Sequence, residues 1–263
     1  MPVLPYQRLF AMTRSLLRFL ESGKSNYLGP HDFKHLRILC SDLNLKPAES
    51  SSLPTTDDIF IRPYPVAEVI SGKQVDPLIA NDGNLYEAIE VCYLIEAYVA
   101  RSDGDLLDDG LLDRTGWGRR QMDFENGERL VIMSSQYNWR AGLIFDKMDS
   151  VTPHVSPVLL DAAPIQDDTL SYPEVACILS CTLCRLRDRA YHCHRIIPVT
   201  VISLSGRSAR IVHGYVDVQK DTLRVFKSPI LQLGNGDRSQ METLLSWCVG
   251  QTIGSTRWET PSL

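Results

Sequence analysis

Three cysteines and a His-Cys-His run are the side chains of this sequence best suited to metal chemistry. Cys177, Cys181 and Cys184 form a C-x3-C-x2-C spacing, and His192-Cys193-His194 follows eight residues later. Three thiolates so spaced can hold an iron–sulfur cluster. Cys181, Cys184, His192 and Cys193 together make a tetrahedral donor set for zinc. The surrounding pattern favours another reading. The three cysteines fall at i, i+4 and i+7 after Pro173, on one apolar stripe with Val175, Ile178 and Leu186 nearby. Free cysteine packs as a small hydrophobe, so these residues are expected in the core and no metal is expected.

A second set surrounds a predicted strand at 208–216. Ala209, Ile211, His213 and Tyr215 share one face of it, apolar with two polar tips. Tyr137, Trp139 and Arg140 precede a neighbouring strand and are expected to approach the same region. An apolar cavity with a few convergent polar groups is the usual form of a small-molecule site. On this reading His213 or Tyr215 donates a hydrogen bond to a carbonyl or carboxylate, and Arg140 fixes an anion. The competing reading makes His213 and Tyr215 satisfied core residues.

Carboxylates supply the third set. Phe145-Asp146 ends one predicted strand and Leu160-Asp161-Ala162-Ala163 ends the next, followed by a helix and an apolar strand. Over residues 84 to 204 this order resembles the PD-(D/E)XK nuclease core, in which an acidic pair binds Mg2+ and a lysine polarises the attacking water. The resemblance implies metal-binding roles for Asp146 and Asp161, with Glu90 or Glu96 added from the preceding helix. Ala163 stands where the lysine belongs, leaving Lys147 as the only nearby substitute. Asp103, Asp105, Asp108, Asp109 and Asp113 do not match a calcium loop and read as solvated turns.

The usual nucleotide, serine-hydrolase and zinc-protease signatures are absent from the sequence. The runs His194-Arg195-Ile196-Ile197-Pro198-Val199, Ala209 to Tyr215, and Leu223-Arg224-Val225 resemble a segment of uncharacterised proteins from filamentous fungi. That resemblance carries no activity. It makes secondary metabolism one setting, where cyclisations and isomerisations proceed by preorganisation without a cofactor. The expectation is therefore an apolar small-molecule substrate and no cofactor. A degenerate nuclease-like domain and a protein-interaction module are the alternatives.

The elements that position these residues follow from periodicity. Helices are predicted over 6–21, 32–43, 84–101, 173–190 and 239–249, and strands over 129–134, 140–146, 157–161, 196–204, 208–216 and 222–226. This order predicts an α/β or α+β fold with a single mixed sheet covered by helices and an N-terminal helical region. A Ser/Pro-rich stretch over 44–65 marks a boundary between residues 1–65 and a main body over 66–263, the whole forming one compact domain.

Composition narrows the classes. The 263 residues are 44% hydrophobic and 22% charged, which is ordinary for a globular protein. No apolar run approaches the roughly 20 residues of a membrane span, so no membrane partner is expected. With no secretory signal, the seven cysteines read as reduced thiols in a cytoplasmic setting. A net charge of −5 argues against sequence-independent nucleic-acid binding, although Arg185, Arg187, Arg189 and Arg195 form a local basic cluster. The sequence leaves the oligomeric state open.

Overall fold

The computed structural model describes residues 4–23, 25–45, 58–65, 84–100, 110–120, 133–134, 139–149, 151–233 and 238–258. Its centre consists of three strands with both faces covered: β7 (Val155–Asp161), β9 (Val199–Ser205) and β10 (Ser208–Asp217). Near-continuous Val/Ile/Leu runs form such strands because neither face meets water. β7 and β9 are parallel, joined by helix α5 (Tyr172–Arg187). β9 and β10 form a hairpin closed at Gly206 and Arg207, with Gly206 at φ 58°. The first turn position here requires a left-handed backbone that glycine adopts at no steric cost.

Outward from this centre the sheet order is β2-β11-β10-β9-β7-β6-β4, where β2 is Ile38–Asp42, β4 Trp117–Arg119, β6 Trp139–Lys147 and β11 Thr222–Lys227. Short strands β5 (Met133–Ser134) and β12 (Leu231–Gln232) pair with β6 and β10, so the mixed sheet has nine strands among the described residues. The fold is mixed α/β, as the element order predicts. Two further ribbons pair β1 (Tyr27–Leu28) with β8 (Leu170–Ser171), and β3 (Ile61–Arg62) with β13 (Gln251–Thr252). No helix among the described residues is long and apolar enough to cross a membrane.

Each face of the sheet has its own core. On one, α3 (Asn84–Ala100) and α6 (Arg238–Cys248) cover Leu143, Phe145, Val158, Leu160, Ile202, Ile211 and Tyr215. The buried positions Ala88, Val91, Cys92, Ile95 and Val99 give α3 its apolar stripe. On the other, α1 (Pro5–Ser22) and α5 cover Trp139, Ile144, Leu159, Val201, Val212 and Val225. Gly214 lets α5 sit close, since a Cβ there would stand 2.8 Å from Ile178 Cδ1. The remaining helices, α2 (Pro30–His35) and α4 (Leu111–Thr115), are short.

One expectation changes. The helix predicted over 32–43 stops at His35, because Arg37 takes φ 52° and Ile38–Asp42 becomes β2, paired in parallel with β11. Pairing with an exposed strand outweighs the weak helical spacing of that segment. Among the N-terminal elements β2 extends the main sheet, and α1 packs along α5 with Leu9, Leu17 and Leu20 buried. Of the strand predicted over 129–134, only Met133 and Ser134 are described.

Candidate functional site

The three sets of residues raised by the sequence have separate fates. Cys177 and Cys181 are buried in α5, and all seven cysteines are free. His192 stacks on Tyr6 at 3.7 Å and its Nε2 lies 2.9 Å from the Leu186 carbonyl, while His194 Nδ1 meets Thr256 Oγ1 at 2.7 Å. The His-Cys-His run therefore points to different partners. Among the described residues no group of three or more His, Cys, Asp or Glu side chains stands together to hold a metal ion.

His213 is enclosed by the chain itself. The Phe60 amide donates to His213 Nε2 at 3.4 Å, so the ring proton sits on Nδ1, which faces Thr200 Oγ1 at 3.0 Å. The Phe60 carbonyl accepts from His154 Nε2 at 2.8 Å and from the Ile253 amide at 3.0 Å. Burial, with His154 adding to it, pushes the His213 pKa down to about 3. Burial pushes His154 to about 4. Two neutral histidines thus clamp the amide and the carbonyl of one residue, Phe60, in the strap that carries β3. Tyr215 donates to Asp58 Oδ1 at 3.1 Å, and the Phe60 ring stands edge-on to it at 5.2 Å. Burial, then Asp58, raises the Tyr215 pKa.

The proposed partners of His213 lie elsewhere. Trp139 belongs to the core on the opposite face of the sheet, and Arg140, exposed, pairs with Leu160 at the far end of β7. Tyr137 lies outside the described residues. The nuclease-like acids are also apart. In the β6–β7 hairpin Asp146 sits opposite Val155 and Asp161 opposite Trp139, so six residues, about 20 Å, separate the two acids along the strand. Asp146 instead pairs with buried Arg185 at 3.0 Å and with Arg120 at 3.5 Å. Asp146, the acid that the sequence offers for catalysis, is thus engaged in an ion-pair cluster. Glu96 pairs with Arg119, and Asp103, Asp105, Asp108 and Asp109 lie outside the described residues.

What the structure does bring together is a polar row at the carboxyl ends of β7 and β9. Trp139 pairs with Asp161, and Ser205 follows the registered pair Leu160–Leu204, so the row runs Trp139, Asp161, Ser205 across β6, β7 and β9. Strand alternation puts all three on the α5 face. Trp139 Nε1 and Ser205 Oγ are buried without a hydrogen-bond partner among the described residues. Asp161 is 3% exposed, accepts from the Ala163 amide at 3.0 Å, and has no ion-pair partner among the described residues. Burial, opposed by that bond and aided by nearby Glu174, pushes its pKa up to about 6.

Below the row lies a charged pair that fixes the start of α5. Ser171 caps the helix: its hydroxyl accepts from the Glu174 amide at 3.4 Å, and its own amide donates to Glu174 Oε2 at 2.8 Å. The same carboxylate receives Arg210 Nη2 at 2.6 Å and Nε at 3.1 Å, both residues being buried. Arg210 Nη1 also reaches the carbonyls of Gln166 and Thr169. Glu174 and Arg210 are therefore fully used, and Asp161 is the titratable group left over. Sequence reasoning named Asp161 and Trp139 but missed Ser205 and Glu174; the S-x-x-E capping box at Ser171 was the available signal.

Carboxyl ends of parallel strands are where open α/β sheets most often hold ligands. Neither a family model, nor a curated protein, nor a solved structure matches this chain, so the site is characterised by its own geometry.

Proposed function

We propose that the protein binds a small, largely apolar carbonyl compound at the carboxyl ends of β7 and β9 and shifts a proton on it without a cofactor. One observation carries the reading. Asp161 is a buried carboxyl with a pKa of about 6, set in the sheet between two buried donors that have no partner among the described residues. Titratable groups displaced toward neutrality cluster at functional sites, and a general base is most effective with a pKa near the working pH. Asp161 as carboxylate takes a proton from the carbon next to the carbonyl. The C–H electron pair becomes the C=C bond of an enolate and the carbonyl π pair moves to the oxygen, where Trp139 Nε1–H and Ser205 Oγ–H hold the developing charge. In a substrate with a C=C bond one carbon further on, return of the proton to the far end of that bond re-forms the carbonyl and completes an isomerisation.

The test is deuterium exchange. The full chain in D2O is offered a panel of enolisable ketones and β-keto esters, and loss of the C–H signal is followed by NMR. Exchange above the buffer rate is expected, rising with pH through an apparent pKa of about 6, abolished by Asp161→Asn. Ser205→Ala should lower it by roughly 10- to 1000-fold. No exchange for any compound, or wild-type exchange by Asp161→Asn, sinks the proposal.

A second reading keeps the nuclease-like resemblance. It is favoured by the observed order of α3, the β4-β6-β7 meander, α5 and a parallel β9. It lacks the paired acid, because Asp146 is engaged by Arg185 and Arg120. Mg2+-dependent cleavage of DNA or RNA that Asp161→Asn removes would favour it.

A further inference from the structure

Helix α1 carries an outer face that the packing of the fold does not explain. Its inner side, Leu9, Thr13, Leu17 and Leu20, is buried against the body. The outer side runs Leu4, Arg8, Ala11, Ser15 and Arg18 at alternating steps of four and three, flanked by Arg14 and Phe19, all exposed. Leu4 is 52% and Phe19 54% exposed, large apolar side chains at the two ends of the stripe. About 22 Å of helix lies between them, and the three arginines stand in that interval.

The charge is one-sided in a chain whose net charge is −5. No Asp or Glu occurs before Glu21. The first turn of α1 holds no acidic residue, although the helix dipole favours one there. The Tyr6–His192 stack joins this end of α1 to the end of α5, where exposed Arg187 and Arg189 add to the same sign. Among the described residues Asp188 is the one acid within that group, and its carboxylate accepts from the Ala190 amide.

We propose that the outer face of α1 docks the protein on an anionic membrane surface, with Arg8, Arg14 and Arg18 at the headgroups and Leu4 and Phe19 dipping below them. An amphipathic helix lying flat at the interface combines cationic and apolar side chains in this way. A phosphate backbone in solution would use the arginines but gain nothing from an exposed Leu4. Docking is peripheral, since no described helix is built to span, and it is independent of the site at Asp161.

The test is co-sedimentation of the full chain with vesicles of phosphatidylcholine alone or with about one-third phosphatidylserine, a composition giving the surface potential on which the estimate below rests. Binding is expected only to the anionic vesicles, and to weaken at high salt. Each arginine near such a surface contributes about a fivefold gain, so Arg8→Glu/Arg14→Glu/Arg18→Glu should weaken partitioning by at least two orders of magnitude. Leu4→Ser/Phe19→Ser should weaken binding while leaving its salt dependence. Arg62→Glu/Arg238→Glu, off this face, should bind as wild type. Equal binding to neutral vesicles, no binding at low salt, or a triple variant that binds normally overturns the proposal. So does release of the protein from vesicles by a single-stranded dT oligonucleotide, which would assign the face to nucleic acid. Thermal melts of each variant separate loss of docking from loss of folding.

Discussion

At the scale of single residues, two kinds of buried titratable group act on stability with opposite sign. Asp161 has a folded pKa of about 6 against an ordinary 3.8, so the native state binds its proton more tightly than the unfolded chain. Its charge destabilises the fold above pH 6, and that penalty disappears as pH falls toward 3.8. Asp161→Asn keeps an acceptor for the Ala163 amide and removes the charge. It is expected to raise the melting temperature at pH 8 and leave it nearly unchanged at pH 4; an equal effect at both pH values would contradict the pKa. His213 and His154 work the other way. Their pKa values are depressed to about 3 and 4, so their contribution is complete above about 6.5, the unfolded value, and is lost as pH falls toward 4 and below. His213→Leu orphans the Phe60 amide, which should cost about 1–3 kcal/mol at pH 7.5. Denaturant titrations should also show a shallower fall in stability between pH 6.5 and 4 for this variant.

At the scale of elements, the start of α5 rests on one carboxylate with three donors. Glu174 takes the Ser171 amide, Arg210 Nε and Arg210 Nη2. Removing one member of a buried pair leaves an uncompensated charge and costs about 3–5 kcal/mol. Arg210→Met should therefore destabilise more than Glu174→Leu/Arg210→Met, which removes both charges; urea midpoints would reveal the reverse order if the pair were dispensable. Part of this was legible. Pro173 and the Ser171-x-x-Glu174 box mark the helix start, and the apolar stripe through Cys177 and Cys181 marks its buried face. The partner on β10 was not, because long-range pairing leaves no local pattern. The same limit applies to His213 and Tyr215: alternation gave their shared face, but not the strap at Phe60 that covers it. Two acids that end consecutive strands of an antiparallel hairpin must lie at opposite ends of it, as Asp146 and Asp161 do.

At the scale of the molecule, the Ser/Pro-rich stretch invites a cut between residues 1–65 and the rest, yet the described N-terminal elements complete the body. β2 extends the sheet beyond β11, β1 pairs with β8 just before α5, and α1 lies along α5. Six large side chains, Leu9, Leu17, Leu20, Leu28, Leu36 and Ile38, are buried in these contacts. At about 1.5–3 kcal/mol for each fully buried side chain, they represent roughly 9–18 kcal/mol. That matches or exceeds the 5–15 kcal/mol of net stability typical of a whole domain. A chain beginning at residue 46 would also expose the β11 edge and the α5 surface that α1 covers, an open strand beside an apolar patch, which favours association. It is expected to lose its cooperative thermal transition and near-ultraviolet dichroism and to elute as aggregate on gel filtration. Adding residues 1–45 back as a separate polypeptide should restore some of the folded signal, because the docking surface is defined by β11 and α5. A monomeric fragment melting within a few degrees of the full chain would instead make the N-terminal elements an appendage.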